Sequence, residues 1–444
     1  DIIGSAIMTE TDPSRRIVVT GMGTENPLGL NVQETWSKII AGESGIATIE
    51  PPELAIPEVR IAGQVKGFDP RPYIPAKEIK NIHRNAQFAY AAALEALQDA
   101  ELVDLTDLLK PRLLSDPERI GIGLGSGVGG GMEIDEIGRV IRERGANRVR
   151  TTAMRLLLLE RSNSITSILL GIKGPISATV AACATGSMSI VNAIYAIREG
   201  DADVMVTGGT EAAIGQVGLA SFNAMRALST NYQDIPSEAS RFADEGADGF
   251  VMAEGAGVLV LESVEHARKR GARIRAEIVG YGNTADAFDD VAPSGEGAVR
   301  ALRLALDRAG LSPEDVDYIN AHGTSTPSGD PKELEAIAEV FGVNNPRLST
   351  SSTKSAVGHM LGAAGGFEAI MCIMAIKDGI VPPTLNLRNP IKEAEGLDLV
   401  PLKAKVKPVD VAISNSFGFG GINSVLVFSR FNQSISLRAW AFII

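Results

Sequence analysis

Cysteine and histidine are scarce in this chain, at two and four of 444 residues. Two thiols exclude a disulfide-dense scaffold and any four-thiolate zinc site. Basic residues are also outnumbered: 42 Lys and Arg stand against 54 Asp and Glu, a formal net charge of −12. That balance argues against nucleic acid as the main partner, because phosphate binding needs a basic field. No apolar run approaches the ~18–20 residues needed to cross a bilayer. No charged-then-apolar leader opens the sequence, and no Walker-type G-x-x-x-x-G-K-[ST] occurs. The expectation is a soluble, cytoplasmic protein that inserts into no membrane. What is present is a globular composition, 45% hydrophobic and 22% charged, with 47 glycines. Glycine is thus about 11% of the chain against a usual ~7%.

The patterning alternates short apolar strands, glycine turns and helices, which implies an α/β fold. Strand signals lie at Ile17–Thr20, Arg119–Leu124 and Val204–Thr207. Asn31 is a plausible N-cap for a helix to Ala41, residues 42–75 read as loop, and the spacing predicts one long helix over 76–100. Further helices are expected from Met132 to Arg144 and from Ser187 to Arg198. Residues 250–262 and 417–428 echo each other as apolar approach, glycine-rich turn and β-rich exit. Two similar halves are expected, spanning 16–270 and 271–431, between a lead-in (1–15) and a tail (432–444).

The candidate nucleophile is Cys183 in Val180-Ala-Ala-Cys183-Ala-Thr-Gly-Ser187, where a strand signal gives way to a helix. A helix N-terminus would stabilise a thiolate, and small neighbours would let a carbonyl and backbone N–H groups approach. A small buried core cysteine is the alternative. Cys372, inside the apolar helix signal Glu368–Ile376, reads as core. His322 and His359 occupy glycine-rich loops after strands, a usual place for catalytic groups in α/β proteins. A histidine bonded to local backbone is the alternative for each. A metal site is disfavoured because no third histidine or carboxylate cluster accompanies them. His83, in the predicted long helix, and His266 read as solvated or structural. Gly125-Ser-Gly-Val-Gly-Gly130 fits a dinucleotide fingerprint, but Glu143 falls in a helix signal rather than at the end of a second strand.

Four blocks occur in order: Ala182-Cys183-Ala-Thr-Gly, Asn320-Ala-His322-Gly-Thr-Ser-Thr-Pro-Ser-Gly-Asp330, Lys354-Ser-Ala-Val-Gly-His359, and Asn415-Ser-Phe-Gly-Phe419-Gly-Gly. Together they closely resemble the condensing enzymes of fatty acid synthesis, best the type II β-ketoacyl-acyl carrier protein synthases, from about Arg16 to Phe431. A thiolase would carry a second cysteine near 417–419. A type III synthase would carry asparagine at 359. The resemblance implies a thiolase-like α-β-α-β-α layered fold made of two halves with mixed five-stranded sheets.

It also implies an elongating decarboxylative condensation of malonyl-acyl carrier protein with an acyl chain on Cys183. His322 and His359 would stabilise the enolate, and the N–H groups of Cys183 and Phe419 would form the oxyanion hole. Phe419 would gate the site, and Lys354 would join a charge network with Asp330 and Glu368. Thr324 and Thr326 would bind the phosphopantetheine arm. No cofactor and no metal are expected beyond that carried arm. Lys77, Lys80 and Arg84, on one predicted helix face, and Arg148 with Arg150 are candidate docking cations for the acyl carrier protein. A homodimer is the family expectation. A polyketide ketosynthase subunit and a non-enzymatic chain-length subunit are the alternatives. The chain departs from the family pattern at Ser240–Asp244, Phe288–Val291 and Thr151–Leu159, so the resemblance leaves acyl length open.

Overall fold

The computed structural model describes residues 16–432. The lead-in and nearly all of the tail lie outside the described residues. The frame is a mixed sheet of nine strands. The strands are β1 (Ile17–Glu25), β2 (Ile120–Gly125), β3 (Val204–Glu211), β4 (Gly255–Ser263), β5 (Ala276–Ala285), β6 (Tyr318–Asn320), β7 (Ser349–Ser351), β8 (Val411–Gly418) and β9 (Ile422–Ser429). Their order is β7-β6-β8-β9-β5-β1-β4-β3-β2.

The order contains a repeat. From β1 the N-terminal half runs antiparallel to β4, antiparallel to β3 and parallel to β2. From β5 the C-terminal half runs antiparallel to β9, antiparallel to β8 and parallel to β6. The C-terminal half adds a fifth strand, β7. The N-terminal half has only an isolated bridge from Ile176 to Ile122 in that place. The halves join where Ile17–Val19 of β1 pairs with Ala276–Ile278 of β5.

Seven helices matter for the site: α1 (Val32–Ala41), α2 (Arg84–Asp99), α3 (Gly131–Arg144), α4 (Thr185–Arg198), α5 (Glu296–Ala309), α6 (Gly329–Phe341) and α7 (Ala364–Asp378). α2 packs on β1, β3 and β4, and α5 packs on β5 and β9. Between the halves run α4 and α7, which give the five layers. Glycine permits the outer contacts: a Cβ on Gly23 would meet the Ala92 carbonyl of α2 at 2.0 Å, and one on Gly282 the Ala301 carbonyl of α5 at 2.0 Å. Every residue of α7 from Ala364 to Ile376 is buried, so its apolar surface runs all round rather than along one stripe.

One expectation is corrected here and another in part. The helix over 76–100 is broken: a single turn, Ala76–Ile79, ends before α2 begins at Arg84. His83 is extended and buried at the α2 N-cap, with Nδ1 beside Asn85, and Gln87 donates to the Ile82 carbonyl and also reaches that of Ile79, which accepts the Ile82 N–H as well. The two glycine echoes match in their exit strands, β4 and β9, which hold the same place in the two halves, and differ in their approaches. Residues 411–429 form a hairpin, whereas Met252 and Ala253 bridge to His359 and Gly63 before β4 begins.

Candidate active site

Cys183 sits in a 3₁₀ turn, Ala182–Ala184, immediately before α4. Ala182 has φ +47°, a left-handed conformation unusual for a residue with a Cβ. Thr185 holds the turn by accepting from the Ala181 N–H and donating to the Ala182 carbonyl. The sharp turn presents the thiol at the base of a cleft lined also by His322, His359, Phe419, Thr324 and Thr326. The Cys183 sulfur and a nitrogen from each of His322 and His359 lie within 4.8 Å of one another. Residues distant in sequence thus converge on one point.

Burial opposes the thiolate that the start of α4 would favour. Burial pushes the Cys183 thiol up to about 12, against the opposing pull of Lys354 and of an N–H from Phe419. The thiol is therefore protonated at neutral pH. The Phe419 N–H points at the sulfur, and a Cβ on Gly418 would come 3.2 Å from the Cys183 nitrogen. The 418–419 backbone thus lies against the Cys183 turn. Phe419 sits in the turn between β8 and β9, its ring 6.2 Å from that of Phe222.

His322 follows β6. Its N–H and that of Gly323 donate to Glu333 on α6, at 2.8 and 2.7 Å. His359 is held by its backbone, which bridges Met252, while its ring lies edge-on to Phe250 and to His322. Burial and the nearby Lys354 ammonium push both imidazoles well below their ordinary range, so both are neutral. Lys354 Nζ lies 3.5 Å from His322 Nδ1, which favours the lone pair there and the proton on Nε2.

Lys354 is 2% exposed and pairs with Glu368 on α7. Burial still raises Glu368 to about 7. Asp330 does not join this network. Its carboxylate accepts the backbone N–H groups of Ala243, Ser325 and Thr326, bracing the loop after His322. The further acid that feels Lys354 is Glu333, one turn along α6 and missed by the sequence reading. Its signal was the i, i+3 spacing from Asp330. Glu211, at the end of β3, was missed as well. It gathers Ser126, Gly127, Val128 and Gly362, so the dinucleotide-like glycine run packs behind the Cys183 turn, where a Cβ on Gly127 would come 3.5 Å from the Ala182 carbonyl. Thr324 and Thr326 hydroxyls face each other at 3.1 Å on the cleft.

The docking candidates regroup. Lys77, Lys80, Arg148 and Arg150 are exposed, and Arg150 reaches the Lys80 carbonyl, which brings the two sequence clusters into one patch. Arg84 is not part of a shared helix face with the lysines. It bonds bidentately to the buried Glu254 and lies over Phe88. Cys372 is a core thiol donating to the Ile413 carbonyl, and His266 bonds Glu262. No helix among the described residues is long and apolar enough to cross a membrane.

Comparison with known proteins agrees with this geometry. The N-terminal and C-terminal beta-ketoacyl synthase domain families match residues 14–267 and 275–388. The 3-oxoacyl-[acyl-carrier-protein] synthase 2 of Staphylococcus aureus (strain N315) is 47% identical over 421 residues, 94% of this chain and 99% of that protein. The protein of the same name from Rhizobium meliloti (strain 1021) is 43% identical over 426 residues, again 94% of this chain and 99% of that protein. A beta-ketoacyl synthase structure from Burkholderia phymatum STM815 superposes with a TM-score of 0.86 at 33% identity, covering 94% of this chain and all of that one. A type II polyketide ketosynthase, solved with its acyl-carrier protein and bound to the hexaketide, gives 0.83 at 30% identity with the same coverage. Two domain matches that between them span most of residues 14–388, and a relative 47% identical over nearly its whole length, place the chain in the beta-ketoacyl synthase family.

Proposed function

We propose that this protein is a 3-oxoacyl-acyl carrier protein synthase of type II, the elongating condensing enzyme of fatty acid synthesis. The observation that carries the reading is the convergence of Cys183, His322 and His359 within 4.8 Å, with both imidazoles neutral.

In the first half-reaction, Cys183 Sγ attacks an acyl thioester. The S–C bond forms, the carrier's S–C bond breaks, and the thiol proton passes to the departing carrier thiolate. A thiol raised by burial favours moving that proton with the attack. In the second half-reaction, malonyl carrier loses carbon dioxide and leaves an enolate. Neutral imidazole N–H groups of His322 and His359 stabilise the charge as it develops on the thioester oxygen. The enolate carbon then attacks the acyl carbonyl, the N–H groups of Cys183 and Phe419 receive the oxyanion, and the Cys183 thiolate leaves and is reprotonated. Each such donor is typically worth about 3–4 kcal/mol.

Thr324 and Thr326 bind the phosphopantetheine arm along the cleft. The exposed cations Lys77, Lys80, Arg148 and Arg150 dock an acidic carrier protein, for which a local basic patch offsets the acidity of the whole chain. The chain acts in the cytoplasm as a homodimer. Exposed Ile168, Ile176 and Val180 support that pairing, since Ile176 bridges the free side of β2 at the end of the sheet. A polyketide ketosynthase is the second reading, supported by the likeness to polyketide ketosynthases. The test is incubation of the pure protein with acyl and malonyl carrier proteins. Carbon dioxide release with one two-carbon extension per turnover is expected. No condensation by freshly reduced protein overturns the proposal, and products extended repeatedly without reduction favour the second reading.

A further inference from the structure

We propose that Cys183, His322 and His359 also form an inhibitory binding site for a borderline divalent cation of the Zn²⁺ class. The sequence argued against a metal for want of a third ligand, and the fold supplies one in Cys183. One thiol and two imidazoles are a donor set zinc accepts, and three protein ligands with an open fourth position is the arrangement of exchangeable zinc sites. The three donors are already within 4.8 Å of one another. Tetrahedral zinc, at bond lengths of about 2.0–2.3 Å, would draw them to separations of roughly 3.3–3.7 Å, a shift of about 1 Å.

Two further observations favour occupancy. Both ring nitrogens of His359 are buried and have no hydrogen-bond partner among the described residues. The ring can therefore offer either lone pair without breaking an existing bond. The charges facing Cys183 are Lys354 on one side and the carboxyl groups of Glu211 and Glu368 on the other. Lys354 is paired with Glu368, which offsets its repulsion of a dication in part, and Glu211 adds a second acid on the same side. Cys372 offers no such site, since it is fully buried against the Ile413 carbonyl.

On binding, one metal–sulfur and two metal–nitrogen bonds form, the Cys183 S–H bond breaks and its proton leaves to solvent, and each imidazole carries its single proton on the nitrogen turned away from the metal. For His322 that is a shift from the tautomer Lys354 favours, a cost the metal bond has to exceed. The nucleophile and both enolate donors are then occupied together. The metal competes with the acyl donor, and an acylated Cys183 is immune. The cation thus links condensation to free metal concentration, and chelation reverses it.

The test uses Co²⁺ as a spectroscopic probe on the metal-free full chain, followed by Zn²⁺ displacement. A thiolate-to-cobalt charge-transfer band saturating at one equivalent per chain is expected. It should vanish on zinc addition and be absent in Cys183→Ser, where Cys372 remains. His359→Asn should weaken binding by more than the roughly 10–100-fold typical of outer-shell changes. Zinc should abolish condensation, and a chelator should restore it. If either variant fails to fold, alkylation of Cys183 in the folded wild type removes the same donor. A missing band overturns the site, as does a band that survives Cys183→Ser or alkylation, or zinc inhibition unchanged by prior acylation. The spectrum needs no substrate. A negative spectrum beside intact condensation therefore overturns the metal site alone, and a positive spectrum beside absent condensation overturns the enzymatic reading alone.

Discussion

Lys354 Nζ stands 3.5 Å from His322 Nδ1 while paired with Glu368, so one buried cation faces the His322 imidazole and is itself held by an acid on α7. Removing a single partner from a buried pair leaves an uncompensated charge, which typically costs about 3–5 kcal/mol. Lys354→Met should lose stability on that scale in denaturant unfolding. Lys354→Met with Glu368→Gln should recover most of it without recovering decarboxylation. Recovery of activity in the double variant would show that the cation does not act through His322.

Cys183→Ala should abolish acylation, read as the mass of the acylated chain, while malonyl carrier is still decarboxylated. The enolate donors are His322 and His359, which remain. Equal loss of both activities in a folded variant would refute this division of labour.

Glu333→Gln should lower condensation by about 100-fold with little change in overall stability, because misplacing a catalytic group by about 1 Å costs that much. The carboxylate takes the N–H groups of both His322 and Gly323, and an amide can accept only one of them without turning a donor on the other. Steady-state kinetics and thermal unfolding check the split.

Stability should fall as pH rises. Burial first, then the charge of Glu95, lifts Glu25 at the end of β1 from the usual 4.5 to about 9. A carboxyl raised in the fold contributes its full stability below its unfolded value and loses it as pH climbs through the folded one. The window is therefore 4.5 to about 9. Glu25→Gln should flatten the pH dependence of the unfolding free energy across it, and an unchanged slope would count against a neutral Glu25.

Charge reversal at Lys80 or Arg150 should weaken use of carrier-bound substrate and reduce its salt dependence, with turnover of a short pantetheine thioester unchanged. Arg84→Ala should behave differently and lower stability, because it strands Glu254, whose side chain is 5% exposed. Carrier kinetics and denaturation separate the two outcomes.

Much of the site was legible along the chain because its chemistry lies in short loops after strands. Cys183, His322 and His359 each sit among small residues, which sequence displays directly. The break before α2 was not legible, since the apolar spacing continues through Ile82 while His83 and Gln87 satisfy the interrupted backbone. The role of Asp330 was misread for another reason. The charge network came from the family resemblance, which fixes the residue type and not its partners, and Asp330 turns to three backbone N–H groups instead. Glu211 and Glu333 were missed because a buried acid bonded only to backbone and neutral groups leaves little local pattern.

The sequence by itself determined the strand–glycine–helix rhythm and which residues, Cys183, His322 and His359, stand among small neighbours after strands, because periodicity and residue type are local properties. Only the tertiary structure decided which acids serve Lys354 and which brace a loop. It also decided that Cys183 rests as a thiol, and that the 76–80 and 148–150 cations form one patch. Those outcomes depend on burial and on distances between residues far apart in the chain. The cost of removing a charge from water, which sets them, exists only once the halves have closed around the site.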